Sequence, residues 1–559
     1  MNKPSLSKLL SHISTRRKTQ GTLLVFLTAV GAMLEAASLA AVFPVLAYIL
    51  DPVSALNSEI MQLVEPITAY LPFGQAYNLG ILFAAIVLLS SAYRIFLVWL
   101  QVTWGNAVGH DFSTLIFSRL LGQSYEQHIA RNTSEIVSGI TIKINQLVGS
   151  YINPLVAICS STVLLLAIVG LLILTVGLQI VAIVILIGVI YAGITFSIKS
   201  KLSYNSQVIS NRSNLIVQQV QESFQGVREV ILGATRGVRE AMFLRMDKEF
   251  RSAQSSSAVL SQAPRYIVES FLVILLVGLA LMQAGTFTLS GELLPSLGVV
   301  VLGLQRMMPL AQVIYANVAT MKGAVCSVDD VLEMASQYSE ADQTQLTECE
   351  AIGFSDHVEL RDLGYRYPRS QVAQLKNINV SIKKGEWVGF YGHTGSGKST
   401  LLDLICGLLK PTTGAIYVDG KQLSDNNYAS WRSKLSVVSQ SAFFSDVAIV
   451  DIIAFGEETP DLDRLKACLK VAQLESTIHG LAEGIYTRVG EAGVQLSGGQ
   501  LQRLSIARAL YRKAEVLVFD EATSALDRPT ELVLMDALRL SNSDLTMVLV
   551  AHRLNTLEE

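Results

Sequence analysis

The sequence predicts two unlike domains in one chain. Residues 1–335 read as an α-helical transmembrane domain of six spans, residues 356–559 as an α/β domain built on a phosphate-binding loop, and residues 336–355 as the linker between them. Three observations carry this prediction. Hydrophobic residues make up 51% of the chain against 16% charged, with a mean hydropathy of +0.43, the bias of a membrane protein. The apolar excess is concentrated in the first half, whereas the part after about Asp356 has the mixed composition of a soluble domain. In that second part Gly392-His393-Thr394-Gly395-Ser396-Gly397-Lys398-Ser399 follows an apolar strand pattern and opens a helical one.

Hydropathy places the spans at roughly 21–50, 77–104, 147–174, 178–198, 263–284 and 293–320. The third and fourth are the clearest. No charged residue falls between Lys143 and Lys199, enough for two spans of ~20 residues joined by a tight turn near Thr175–Gln179. The run from Gly21 to Leu50 is too long for a cleavable signal peptide and reads as an inserting first span. Charge orients the set. Lys3, Lys8, Arg16, Arg17 and Lys18 precede span 1, no Lys or Arg occurs from Asp51 up to Tyr93, and the segments 105–146 and 199–262 carry basic residues. The positive-inside rule puts the N-terminus, both long segments and the second domain in the cytoplasm. These two segments read as helical extensions of the spans, turning near Tyr125–Asn132 and Gly226–Gly237. In the outer loop Leu56, Ile60, Leu63, Val64, Ile67 and Leu71 share a helix face, which suits either an interfacial helix or one packed on the spans.

A formal net charge of −3 leaves no footprint for nucleic acid. The five cysteines, Cys159, Cys326, Cys349, Cys406 and Cys468, have neither metal-ligand spacing nor an evident pairing. Charges inside the spans are few: Arg94, Arg265, Arg306, Glu35 and Glu269. Charge at membrane depth is costly unless it is paired or faces water. One reading is structural pairing, with Arg265 and Glu269 at i,i+4 and Glu35 against an arginine. The other is a cavity in which Arg94, Arg265 and Arg306 receive an anion, because guanidinium forks match phosphate.

In the second domain the glycines of the loop let backbone N–H groups wrap phosphates, with Lys398 reaching the β/γ-phosphates and Ser399 binding Mg²⁺. The strand Val516–Asp520 delivers two acids, Asp520 for the Mg²⁺ shell and Glu521 to polarise an attacking water. Between the loop and this strand stand Gln440 and Leu496-Ser497-Gly498-Gly499-Gln500, and His552 follows the strand. This ordered set resembles the ABC transporters, specifically exporter-type half-transporters in which six spans precede one ABC nucleotide-binding domain, a P-loop ATPase. The resemblance covers nearly the whole chain and implies ATP and Mg²⁺ as cofactors. It gives roles to matching residues. Tyr367 would stack on adenine, with Gly392, Gly395, Gly397, Lys398, Ser399 and Thr400 around the phosphates. Gln440 would contact Mg²⁺ and sense the membrane domain, with Ser399 and Asp520 as the other Mg²⁺ holders. Ser497, Gly499 and Gln500 of one subunit would face ATP held by the other, and Ser524–Asp527 would cross the interface. His552 would hold the γ-phosphate beside Glu521, and Glu491 would meet the cytoplasmic loop tips. A site completed only between two domains implies a homodimer.

Ser439 and Leu501 depart from residues common in that family without removing a catalytic group, and the family pattern continues beyond the seven residues that follow His552, which implies a truncated copy or fragment. Residues 89–99 around Arg94, Ala263-Pro264-Arg265 with Glu269, and Leu304-Gln305-Arg306-Met307-Met308-Pro309 resemble segments of bacterial lipid-linked oligosaccharide flippases. That likeness implies a polyprenyl-pyrophosphate-linked glycan as cargo and a bacterial inner membrane location. Export of other lipids or drugs is the alternative; a non-pumping channel or regulator fits less well with Glu521 and His552 both present.

Overall fold

A computed structural model describes the chain apart from residues 1–5, 51–71, 73, 177–178, 284–292, 337–349, 369, 441–442, 491–495, 522–525, 542–543 and 552–559. The chain divides into two compact units: Met1–Gln123 with Arg131–Tyr338, and Ser124–Ala130 with Ser339–Glu559. The short segment Ser124–Ala130, which the sequence places inside the 1–335 domain, therefore groups with the second unit.

The first unit is helical. A short helix Leu6–His12 precedes Thr15–Ala40, whose start is capped by Ser14 accepting from the Arg17 N–H. Gln75–Leu121 and Gln179–Gln225 run 47 residues each, about 70 Å, more than twice the ~30 Å hydrocarbon core. They extend well past the spans, as the two basic segments predict. Thr15–Ala40, Gln75–Leu121, Thr133–Leu174 and Val184–Gln225 are long and apolar enough to cross a membrane, and they carry predicted spans 1 to 4. Predicted spans 5 and 6 fall on the helices Pro264–Gln283 and Leu293–Ser336, many of whose apolar side chains lie outside the described residues. The amphipathic outer-loop stretch and part of the turn at Thr175–Gln179 also lie outside them. At the two expected tips the chain forms the helices Tyr125–Ile129 and Val227–Leu232. The first is bounded by a capping box in which Ser124 and Gln127 exchange hydrogen bonds.

The third predicted span enters through two π-helical turns, Gly139–Lys143 and Val148–Ile152. Beside them Phe112, Ile116, Leu147, Ile152, Val328 and Val331 form a buried cluster. The Lys143 ammonium, 2% exposed, meets Asp330 Oδ2 at 2.5 Å, and the Ser210 hydroxyl donates to the same oxygen. Three helices are thus tied through one carboxylate.

The second unit holds two sheets. His357–Tyr365 pairs antiparallel with Leu375–Lys383 on one side and Thr413–Val418 on the other, and Lys421–Gln422 closes that sheet. The other sheet is all parallel, in the order Trp387–Tyr391, Thr546–Ala551, Val516–Asp520, Leu435–Val438. Its strands are apolar runs, as strands covered on both faces must be. A core containing Leu360, Leu404, Ile405, Trp431 and Val518 joins the sheets through the helix Lys398–Ile405, and the Trp431 indole donates to the Ile405 carbonyl at 2.7 Å.

Candidate functional site

Parallel pairing places four strand ends side by side, and the functional residues follow from that. Phe390 is opposite Val550 and Asp520 is opposite Val550 on its other side, so the Gly392 loop and the Asp520–Glu521 pair leave the sheet at one edge. Val438 is opposite Phe519, which brings Gln440 to the same edge. In open α/β sheets this carboxyl edge is where ligands bind.

The loop is shaped for close backbone approach. Gly395 and Gly397 have φ of +83° and +94°, and a Cβ on Gly397 would lie 2.7 Å from Leu375 Cδ2. Lys398 Nζ donates to the carbonyls of Gly392 at 2.8 Å and His393 at 3.0 Å, so the ammonium is folded over the cradle. Helix Lys398–Ile405 starts there, its free N–H groups aimed at the loop. This conformation fits a polyphosphate: glycine geometry, a helix start and one cation converge on one concavity. The Tyr367 hydroxyl lies 3.2 Å from Thr400 Oγ1, and the ring packs edge-on against Tyr365, so Tyr367 is set beside the loop helix.

Glu521 adopts φ +53°, an uncommon conformation for a non-glycine residue. Its carboxylate accepts from Gln440 Nε2 at 2.8 Å. The structure thus joins two residues 81 positions apart that the sequence assigns to catalysis. Ser497 caps the helix Gly498–Tyr511 in a capping box with Gln500, and the backbone N–H groups of the glycine pair begin that helix. Asp527 caps the helix Arg528–Ser541, accepting from the Thr530 hydroxyl at 2.8 Å, which holds its carboxyl below the usual carboxylate range. Glu491, Ser524 and His552 lie outside the described residues.

Sequence reasoning missed Asp403. It is half-buried, and that burial together with the charge of Asp520 pushes its carboxyl up to about 6. The available signal was spacing: Asp403 stands four residues after Ser399, on the same helix face. It also missed Glu126, whose carboxylate accepts from the Tyr365 hydroxyl at 2.9 Å within the second unit. Burial and neighbouring Asp403 raise the Tyr125 hydroxyl beside it. Of the cysteines, Cys159, Cys326, Cys406 and Cys468 are free, and burial pushes the Cys406 thiol up to about 12.

In the first unit the membrane charges are paired. Arg94 and Arg306 each place Nη1 3.2 Å from the same Glu35 Oε1, and Arg306 also reaches Ser38 Oγ at 3.4 Å. Arg265 pairs with Glu269 at 2.7 Å. The three arginines are therefore not one cluster: two converge on Glu35, and Arg265 has its own carboxylate. Pairing is incomplete all the same, because Glu35 is shared.

The ABC transporter family model matches residues 375–524. Along 97% of this chain and 91% of the other, the fold follows the structure of a bacterial Atm1-family ABC exporter with ATP bound, with a TM-score of 0.77 and 21% identity. Two proteins named ATP-dependent lipid A-core flippase are similar in sequence. That of Alkalilimnicola ehrlichii is 38% identical over 45% of this chain and 42% of its own length, and that of Bordetella avium 27% identical over 85% and 80%.

The family match, the relatives and the shared fold support an exporter-type ABC half-transporter.

A further relative, ABC transporter B family member 29, chloroplastic, of Arabidopsis thaliana, is 31% identical over 64% of the half-transporter. The match spans 56% of that relative, so the half-transporter aligns with about half the length of two of these three curated relatives. Its second unit is an ABC ATPase domain that binds ATP, and its first is an integral membrane domain.

Proposed function

We propose that the half-transporter acts as a homodimer, coupling ATP hydrolysis to the flipping of a polyprenyl-pyrophosphate-linked oligosaccharide or similar glycolipid. Movement runs from the cytoplasmic to the outer leaflet of a bacterial inner membrane, with the N-terminus and ATPase domain on the cytoplasmic side. In each ATPase domain Lys398 and the loop N–H groups hold the phosphates. Glu521, oriented by Gln440, takes the proton of the attacking water, with His552 at the γ-phosphate. Ser399, Gln440 and Asp520 would hold Mg²⁺, which when bound would offset charge on the phosphate oxygens. Ser497 and Gly499 of the second copy close the site, with Asp527 at the interface and Glu491 toward the loop tips. Closure is transmitted to the spans through Tyr125–Ile129 and Val227–Leu232.

The observation that carries the cargo reading is the unequal charge count in the spans. One carboxylate, Glu35, serves two arginines, leaving one positive charge for an anionic headgroup. A diphosphate offers the doubly accepting oxygens that guanidinium forks match. Export of another lipid is the second reading, favoured by the relatives named as lipid A-core flippases. The test is translocation in proteoliposomes with a fluorescent polyprenyl-pyrophosphate oligosaccharide. ATP-dependent loss of accessible label that Glu521→Gln abolishes supports the reading; label that moves equally with and without ATP contradicts it.

A further inference from the structure

The first unit contains an apolar groove that the transport reading does not use. It has a volume of about 260 Å³ and is walled by the first turns of Thr15–Ala40, by Trp104 and by residues 155–163. Leu24, Thr28 and Val156 form a buried floor. Every hydroxyl at its wall is already satisfied by its own helix: Thr22 donates to the Thr19 carbonyl, Thr28 to that of Leu24 and Ser160 to that of Ala157. The Trp104 indole donates to the Arg17 carbonyl at 3.1 Å. The groove therefore makes no polar demand on an occupant, and a hydrocarbon chain suits it.

Charge at one end selects which hydrocarbon. Lys18 lines the groove. It is exposed, and among the described residues it has no carboxylate partner, whereas neighbouring Arg17 is committed to Asp111 at 3.0 Å. A second apolar cavity of about 300 Å³, walled by residues 184–195 and 307–318, has no charged residue in its lining. Of these two cavities, both among the described residues, the first alone joins an apolar slot to an exposed cation.

We propose that this groove holds one acyl chain of an anionic phospholipid from the leaflet next to the N-terminus, its phosphate on Lys18. The site is separate from the Glu35 arginines and independent of the cargo.

Native mass spectrometry of the full chain, delipidated in detergent and titrated with phosphatidylglycerol or phosphatidylcholine, tests this. One phosphatidylglycerol per chain is expected to be retained over phosphatidylcholine, and glycerol 3-phosphate should not compete. Lys18→Ala should weaken retention about fivefold, the change given by one cation at about 1 kcal/mol, with detergent ATPase activity unchanged. Ser160→Phe, which fills the slot, should abolish retention. Because that variant can misfold, the native chain supplies a second readout: phosphatidylglycerol should slow maleimide labelling of Cys159, which is exposed and lines the groove. Equal retention of the two lipids, or retention indifferent to Lys18→Ala, overturns the proposal. Unchanged Cys159 labelling with phosphatidylglycerol bound places that lipid elsewhere and overturns it too.

Discussion

The two units handle charge in opposite ways. In the ATPase unit Lys398, Asp520 and Glu521 sit at the carboxyl edge of a parallel sheet, the lysine after one strand and both acids at the end of another, at the edge where such sheets bind ligands. In the membrane unit the charges are drawn toward each other across helices: Glu35 takes two arginines, and Lys143 is sealed against Asp330. Water is the cause of the difference. An exposed strand end can keep an uncompensated charge, while a charge among apolar helices must find a partner or a water-filled face. In this chain charge stands at strand ends in the soluble unit and is shared between helices in the membrane unit.

The largest effect should come from the soluble edge. Glu521→Gln is expected to cut steady-state ATP turnover by ~10²–10⁴-fold while ATP binding persists. Turnover within twofold of native would remove Glu521 as the base. Next comes the sealed pair. Asp330→Ala strands an ammonium that is 2% exposed, and should destabilise the membrane unit by about 3 kcal/mol in detergent unfolding. Adding Lys143→Met should recover most of that loss; a double variant as weak as the single would mean that the pair is not the cause.

A smaller, pH-dependent effect distinguishes Asp403. Its carboxyl stands raised to about 6, so the folded state binds its proton more tightly than the unfolded chain does. Stability from this group is present below the unfolded carboxylate range and is lost as pH rises toward 6. Asp403→Asn should therefore melt higher than the native chain above pH 6 and alike near pH 4. A gap that is constant with pH would contradict the assignment. The smallest effect concerns the tip that groups with the ATPase unit. Tyr125–Ile129 is too short to be stable alone, so losing its cap through Ser124→Ala should lower hydrogen-exchange protection there about fivefold, or ~1 kcal/mol.

What could be read from the sequence follows the same division. Lys398, Asp520 and Ser497 lie in short local patterns, so they could be singled out from neighbours in the chain, whereas the helix cap at Ser497 emerges only from the structure. Four of the long helices showed themselves by apolar length alone, and the tips at Tyr125 and Val227 by the composition of the segments around them. Pairings across distant helices were not legible. Sequence spacing allowed Arg265 with Glu269, but nothing local says that Glu35 receives both Arg94, 59 residues away, and Arg306, 271 residues away. Asp403 was overlooked because its importance depends on burial beside Asp520, a property of the folded sheet and helix.

The central claim is that shared charge in the spans serves an anionic cargo while the ATPase edge supplies the energy. Its most direct test is ATPase activity in proteoliposomes, with and without polyprenyl-pyrophosphate oligosaccharide, for the native chain and for Arg306→Ala. The expected result is stimulation of the native chain by the glycolipid, lost in Arg306→Ala with basal hydrolysis kept. Equal stimulation of both would contradict the claim and leave the arginines as structural partners of Glu35.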